Sequence, residues 1–153
     1  MSYADRIGPA KQSERQLIEW LRGKGWTAEP FGQGLLTDKM RDALKQVRPP
    51  TPVRWMPDVI AVKGSRVLLL DAKTGRDDTE NVSLEDASSR AALAFVIAMG
   101  CRVIHVWPGG KALSAEEAEQ IEKRPGPPHH GTGSGTPYHL ISKTLLNSLA
   151  DYL

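Results

Sequence analysis

Two apolar runs joined by a tight turn constrain the fold of this chain more than any other feature. Residues 54–62 and 66–73 are rich in valine, isoleucine and leucine, and Lys63-Gly64-Ser65 separates them. Apolar runs on either side of a short glycine-containing turn predict a β-hairpin. If Gly64 and Ser65 are the two central residues of a type II′ turn, Lys63 pairs with Arg66 and every other pair in the hairpin follows.

That register places Asp58 directly opposite Asp71. Their Cβ atoms would be about 4.5–5.5 Å apart, and Lys73 would share the face of Asp71 because strand side chains alternate. Two carboxylates at that distance repel each other unless a cation lies between them. Ligation by carboxylates, a backbone carbonyl and water suits magnesium or manganese better than zinc. The Lys73 ammonium could hold an attacking water or stabilise a pentavalent phosphate.

A glutamate in the first predicted helix is a further candidate. Ser13 and Gln16 match a capping box, and the apolar residues that follow have helical spacing, which predicts a helix over residues 13–22. Glu14 falls on the same face as these apolar residues. A buried glutamate needs a partner, and a metal ion is one. The alternative is a residue of the first helical turn that only interacts with the helix dipole.

The remaining segments predict alternating strands and helices around the hairpin. A long alanine-rich helix between two strands is typical of a crossover that covers a sheet, so the chain is assigned to the α/β class. Pro30 favours an edge position for the first strand. We expect strands at residues 26–31, 101–107 and 138–141, helices at 37–47, 84–99, 114–123 and from Ser142 to Leu153, a polar loop at 74–82, and a flexible Gly/Pro-rich loop at 124–137.

The motif and the order of these elements resemble the PD-(D/E)XK nuclease superfamily. Pro57-Asp58 is followed, after twelve residues, by Asp71-Ala72-Lys73, and the resemblance covers residues 13–107. It implies a single nuclease domain over residues 1–153, with a restriction-endonuclease-like mixed β-sheet flanked by helices on both faces. It also implies that Asp58 and Asp71 bind Mg²⁺ or Mn²⁺, that Lys73 assists the attacking water, and that Glu14 joins the metal site. The Ala72 carbonyl completes the expected ligand set.

Among members of that superfamily, the central part of this chain is similar to Holliday-junction resolvases in its compact size and in the long helix and strand after the motif. The inserted helix at residues 37–47 and the glycine-rich loop before Tyr138 differ from that group. The leading hypothesis is therefore a Mg-dependent DNA endonuclease acting on branched DNA, with a homodimer as one arrangement that would cut two strands. The alternatives are a repair or nicking nuclease on duplex or single-stranded DNA, and a non-catalytic nucleic-acid-binding module.

Basic residues cluster in one segment. Residues 39–54 carry five basic side chains against a single acid, Asp42, although the net charge of the chain is only +2. This excess predicts phosphate contacts, although a solvated helix face with its basic residues outward would look similar. Ser83 could contact the scissile phosphate or simply cap the helix expected after it. The candidate nucleic-acid-binding residues are Arg41, Lys45, Arg48, Arg54 and Ser83, with Trp55 as a stacking or packing residue.

Other features exclude several classes of protein. No apolar stretch approaches the roughly 18 residues of a membrane helix, and the N-terminal residues show no export signal, so we expect a cytoplasmic protein without a membrane partner. The lone Cys101 is expected to be a buried structural thiol. His105 and His139 are interpreted as sheet residues rather than ligands. For His129 and His130 we expect a DNA contact or a contribution to solubility.

Overall fold

A computed structural model describes residues 9–75, 78–127 and 136–153, and its central hairpin has the expected register. Strand β2 (Val59–Lys63) pairs with β3 (Arg66–Ala72) so that Lys63 faces Arg66. Gly64 has a φ of 60°, whereas no described non-glycine residue has a positive φ, as a type II′ turn at Gly64-Ser65 requires. The pairing predicted from the turn is therefore confirmed.

The first strand of the hairpin is shorter than predicted. Residues 54–58 lie outside β2, because Pro52–Trp55 forms a 3₁₀ helix whose first amide, that of Val53, donates to the Thr51 hydroxyl. Asp58 still continues the ladder, since its amide donates to the Leu70 carbonyl at 2.9 Å. The hairpin thus extends by one hydrogen bond beyond the strand, and Asp58 lies at that point.

The hairpin lies in a six-stranded mixed sheet. Its other strands are β1 (Thr27–Pro30), β5 (Arg102–Trp107), β6 (Lys111–Ser114) and β9 (Asn147–Ser148), and the strand order is β1-β2-β3-β5-β6-β9. Strand β1 forms one edge, as Pro30 predicted, and β5 runs parallel to β3. Helix α1 (Pro9–Gly23) packs on one face of the sheet, and α3 (Asp86–Met99) and α4 (Ala115–Gln120) pack on the other. The predicted mixed sheet between two helical layers is therefore confirmed.

Successive side chains of β3 point to opposite faces of the sheet, which divides the core into two layers and determines the face on which Asp71 lies. Leu68 and Leu70 pack with α1, whereas Leu69 packs with residues of α3, α4 and β5. Burial of each leucine is worth roughly 1.5–3 kcal/mol, so a one-residue slip of this strand would be costly. Asp71 comes two residues after Leu69 and therefore faces the α3 layer.

A second, three-stranded sheet was not predicted. Strand β4 (Asn81–Glu85) pairs with β8 (Tyr138–Ser142), which also pairs with β7 (Arg124–Pro125). The predicted strand at 138–141 is confirmed. The expected start of the long helix at residue 84 is wrong, because Val82 and Leu84 alternate into a buried cluster with Trp107 as strand residues.

The expected loops also need correction. The polar loop ends at residue 80 rather than 82, since Asn81 already belongs to β4. The segment 124–137 is not wholly irregular, because two of its residues form β7. Residues 128–135, with His129 and His130, lie outside the described part of the chain.

Two predicted helices differ from the structure, α1 at its start and α4 at its end. Helix α1 begins at Pro9, so Ser13 is an interior residue and the expected capping box is wrong. Proline is well tolerated at a first helical position, where its missing N–H has no intrahelical partner to lose. Ser114 is the N-cap of α4 and forms a true capping box with Glu117, although that helix ends at Gln120 rather than at residue 123.

The long C-terminal helix expected after Ser142 does not form. Two short 3₁₀ turns, Lys143–Leu145 and Leu149–Tyr152, flank β9, which pairs with the outer edge of β6. Leu149 and Tyr152 are nevertheless buried, so the apolar spacing reflects packing rather than a continuous helix.

The inserted helix is confirmed as α2 (Asp38–Lys45), with the Thr37 hydroxyl accepting from the Met40 amide. None of its residues is buried. Across the described residues, every helix is too short or too polar to cross a lipid bilayer.

Candidate active site

The two acidic residues of the motif lie together at the end of the hairpin. Asp58 is only 8% exposed, and its Oδ2 accepts a hydrogen bond from the Ala72 amide at 2.9 Å. The Asp71 carboxylate lies close enough to Asp58 to raise the pKa of Asp58 by repulsion. The loop before α2 packs closely here: a Cβ on Gly34 would lie 2.4 Å from the Asp58 carbonyl oxygen, so only glycine fits. The predicted juxtaposition of Asp58 and Asp71 is present.

Three donors converge on one oxygen of Asp71. Its Oδ2 lies 2.7 Å from Lys73 Nζ, 2.9 Å from His105 Nδ1 and 3.2 Å from Ser88 Oγ. Lys73 Nζ also donates to Ser88 Oγ at 2.6 Å, so the serine hydroxyl links the lysine to the carboxylate. Lys73 therefore shares a face with Asp71, as the strand alternation predicted.

The surroundings of the two carboxyl groups shift their pKa values in opposite directions. Burial, followed by repulsion from Asp71 and Glu14, raises the pKa of Asp58 to about 9. Burial acts in the same direction on Asp71, but the Lys73 charge and the His105 hydrogen bond outweigh it and lower the pKa of Asp71. At neutral pH the metal-free pair therefore holds one proton, on Asp58. A divalent cation could replace that proton.

Sequence reasoning missed His105 as a member of this group. Strand β5 places it directly opposite Asp71 in the parallel ladder, where it is fully buried. Burial lowers the pKa of His105 and keeps it neutral, so Nδ1–H donates to the Asp71 carboxylate. His105 is a sheet residue, as predicted, but only Nδ1 of its ring has a hydrogen-bond partner within the described residues. The sequence signal that could have identified it is a histidine between apolar residues of the predicted strand 101–107.

Ser88 was missed for a different reason. It lies in the first turn of α3, and the expected helix start at residue 84 gave no indication which of the two serines, Ser88 or Ser89, would face the motif. In the structure Ser89 instead donates to Glu119 at 2.9 Å. The exact start of α3 is therefore what brings a hydroxyl to Asp71.

Glu14 is buried beside the acid pair, as its position on α1 predicted. It is 6% exposed and close enough to Asp58 to contribute to the raised pKa of that residue. Because α1 begins at Pro9, Glu14 is not a first-turn residue, and the dipole alternative is excluded. Its Oε1 lies 3.7 Å from the Arg41 guanidinium, which also donates to the Gln33 carbonyl. The expectation that Arg41 points outward is wrong, since a buried carboxylate attracts a counter-charge.

The acidic side chains at the site offer a metal ion two carboxylate ligands. Over residues 9–75, 78–127 and 136–153, no three histidine, cysteine or acidic side chains lie close enough together to enclose an ion. The predicted set with Glu14 is therefore not assembled, because Glu14 contacts Arg41. The pair of Asp58 and Asp71 fits Mg²⁺, which is commonly held by one or two carboxylates and keeps several water ligands.

A cavity of about 490 Å³, here called the acid cavity, opens over the pair. Its walls carry charges of both signs: besides the motif residues, the basic Arg41, Lys45 and Arg54 and the acidic Glu14 and Glu85 line it. The other two candidate DNA contacts do not line it. Arg48 donates to the carbonyls of Lys45 and Val47. Ser83 is exposed on β4 and is not a helix cap, because Glu85 occupies the position before α3.

The remaining candidates have structural contacts. The Trp55 ring lies at the wall of the acid cavity, with the Arg54 guanidinium 4.7 Å from its centroid and its Nε1 3.4 Å from Glu85 Oε2. His139 lies on β8 and its Nδ1 is 2.5 Å from Asp86 Oδ1. Cys101 is half-buried rather than buried and precedes β5.

Comparison with solved structures identifies the fold. The structure is similar to that of Hjc, a Holliday junction resolvase from the hyperthermophilic archaeon Archaeoglobus fulgidus, with a TM-score of 0.57 over 95% of each chain and 15% sequence identity. The chain therefore has the same fold as that protein. The fold expected from the PD-(D/E)XK resemblance is thus confirmed. No protein-family model and no characterised protein matches at the level of sequence.

Proposed function

We propose that this protein is a divalent-metal-dependent DNA endonuclease. The observation that carries the proposal is the group at the end of the hairpin, where Lys73 Nζ lies 2.7 Å from Asp71 Oδ2 and the buried Asp58 lines the same cavity. A buried acid pair beside a lysine, in a cavity whose lining also includes Arg41, Lys45 and Arg54, suits hydrolysis of a phosphodiester bond.

Asp58, Asp71 and the Ala72 carbonyl would hold Mg²⁺ or Mn²⁺. The bound ion would lower the pKa of a coordinated water and reduce the charge on the phosphate. Asp58 must lose its proton to act as a ligand, so ion binding releases a proton. Glu14 remains a proposed member of the site that would join only if its contact with Arg41 opened.

Lys73 has the central role among the chain's own residues. Its Nζ contacts Asp71 and Ser88, and it would turn to hold the attacking water or to stabilise the developing charge on the phosphate. Ser88 and His105 would keep Asp71 in a fixed orientation during that movement. Arg41, Lys45 and Arg54 would bind the phosphates on either side of the cleaved bond.

Branched DNA is the proposed substrate, and recombination or repair the proposed setting. The fold similarity to a Holliday junction resolvase supports this choice, as do the basic side chains of Arg41, Lys45 and Arg54 at the wall of the acid cavity. A homodimer would place two active sites on the two strands to be cut. A nicking or repair nuclease for duplex or single-stranded DNA is the alternative, and a non-catalytic DNA-binding module is the third possibility.

The test is cleavage of end-labelled four-way junction, duplex and single strand of matched sequence, with Mg²⁺, with Mn²⁺ and with EDTA. We expect symmetric cleavage of the junction that needs the ion and is lost in Asp71→Asn. Cleavage of duplex or single strand in preference to the junction would favour the repair or nicking reading. Binding without cleavage of any substrate would indicate that the protein is a non-catalytic DNA-binding module.

A further inference from the structure

A second cavity lies on the other side of the motif strand. It has a volume of about 590 Å³ and is here called the α1 cavity. Ala72 and Lys73 line both cavities, so the end of β3 separates them. Because the two cavities share these residues, a DNA strand that crosses the end of β3 can reach both with nearby nucleotides.

The α1 helix supplies one wall of this cavity. Ser13, Gln16 and Trp20 line it and follow one another at three- and four-residue spacing, which places them on one face of the helix. Trp20 is 38% exposed, an unusual state for the largest aromatic side chain on a packed helix. Lys24 Nζ lies 5.5 Å from the centroid of the Trp20 ring system.

The other walls combine apolar side chains with a tight turn. Leu17, Val106 and Leu149 are buried apolar residues that line the cavity, and Pro108 to Gly110 form the turn between β5 and β6 on its rim. None of the described lining residues is acidic. The volume falls within the range of about 300–1,000 Å³ that is typical of sites for small ligands, which also combine apolar walls with a few polar groups.

We propose that the α1 cavity binds one unpaired nucleobase of the DNA strand, next to the bond that the motif residues cleave. The base would stack on Trp20, and the Gln16 amide and the Ser13 hydroxyl would contact its edge. The base must be unpaired, because in a duplex its partner base occupies the edge that Gln16 and Ser13 would contact. This inference rests on the proposed nuclease function and adds that the enzyme selects DNA with an unpaired nucleotide at the cleavage point.

The experiment compares binding of two DNAs that differ at one nucleotide. Both carry an unpaired nucleotide beside the cleavage site, either 2-aminopurine or an abasic residue, placed on the 5′ or the 3′ side in separate substrates. Binding is measured with Ca²⁺ in place of Mg²⁺, so the readout does not depend on cleavage. The variants are Trp20→Ala and Trp20→Phe. Ile97→Ala serves as the control, since Ile97 is 85% exposed and lies on α3 away from both cavities.

We expect Trp20→Ala to weaken binding of the base-bearing DNA by roughly 10- to 100-fold, because stacking of one base on an aromatic side chain contributes about that much. Binding of the abasic DNA should be the same in Trp20→Ala and wild type. Trp20→Phe should retain most of the affinity, and 2-aminopurine fluorescence should be quenched by wild type at one of the two positions.

Equal binding of base-bearing and abasic DNA by wild type, at both positions, would overturn the proposal. Loss of affinity for both DNAs in Trp20→Ala would also overturn it, because that result indicates a backbone contact. The two proposals fail separately: a wild-type protein that cuts DNA without any dependence on Trp20 refutes only the base site. A protein that discriminates the two DNAs but never cuts refutes only the nuclease.

Discussion

Replacement of Asp58 by asparagine should stabilise the metal-free protein at neutral and alkaline pH. The folded protein raises the pKa of Asp58 from 3.8 to about 9, so its proton is retained on folding throughout that interval. A group with a raised folded pKa contributes stability below its unfolded pKa, and that contribution is lost as pH rises towards the folded value. Asparagine is neutral at every pH and has a similar shape, so its contribution stays constant.

The magnitude follows from proton linkage. Between pH 4 and pH 9, the folded wild type keeps one proton that the unfolded chain loses. Its free energy of unfolding therefore falls by up to about 1.4 kcal/mol for each pH unit. From pH 6 to pH 8, the advantage of Asp58→Asn over wild type should therefore grow by about 2–3 kcal/mol at most. For a domain of this size that corresponds to a melting-temperature difference of roughly 4–12 °C.

The assay is thermal and urea denaturation in EDTA at pH 6, 7 and 8, with Asp42→Asn as a control for loss of an exposed carboxylate. Asp42 has a side chain that is 75% exposed, so its variant should follow wild type at every pH. Addition of Mg²⁺ should then stabilise wild type by binding linkage and leave Asp58→Asn almost unchanged. Parallel pH dependences for Asp58→Asn and wild type would refute the assignment of the proton to Asp58.

Three further predictions concern neighbouring side chains. Lys73→Ala should lower kcat by at least 100-fold with little change in DNA affinity, measured by single-turnover cleavage and by binding in Ca²⁺; a wild-type rate would relocate the site. His105→Leu should lower kcat by roughly 10- to 100-fold through loss of a hydrogen bond to a charged group, whereas His105→Asn, which keeps a donor near the Nδ1 position, should recover part of the rate. The same rate in both His105 variants would show that the histidine is only a packing residue. The double variant Arg41→Ala, Lys45→Ala should flatten the salt dependence of DNA binding by about two phosphate contacts. Arg48→Ala, outside the acid cavity, should leave the salt dependence unchanged. The same slope in wild type and the double variant would show that the basic residues of α2 only face solvent.

The acid pair could be predicted because its geometry is local. A two-residue turn at Gly64 determines the pairing of the whole hairpin, and the position of Asp58 opposite Asp71 follows by alternation. Glu14 was found in the same way, from spacing within one helix. Such arguments need no knowledge of how distant segments pack.

The remaining parts of the site depend on long-range packing. His105 reaches Asp71 only because β5 takes a particular register beside β3, and that register is set by the crossover through α3. Arg41 turns inward because α1 presents a buried carboxylate to α2, a contact between segments that sequence periodicity treats separately. Strand β4 was read as loop and helix because its pairing partner, β8, lies more than 50 residues further along the chain.

The central claim is that the acid pair and Lys73 cut DNA with the help of a divalent cation. The most direct measurement is cleavage of a labelled four-way junction by wild type and by Asp71→Asn, each with Mg²⁺ and with EDTA, alongside binding of the same junction in Ca²⁺. The account predicts that wild type cuts only with Mg²⁺ and that Asp71→Asn binds the junction but does not cut it. Cleavage by wild type in EDTA, or undiminished cleavage by Asp71→Asn, would contradict the account.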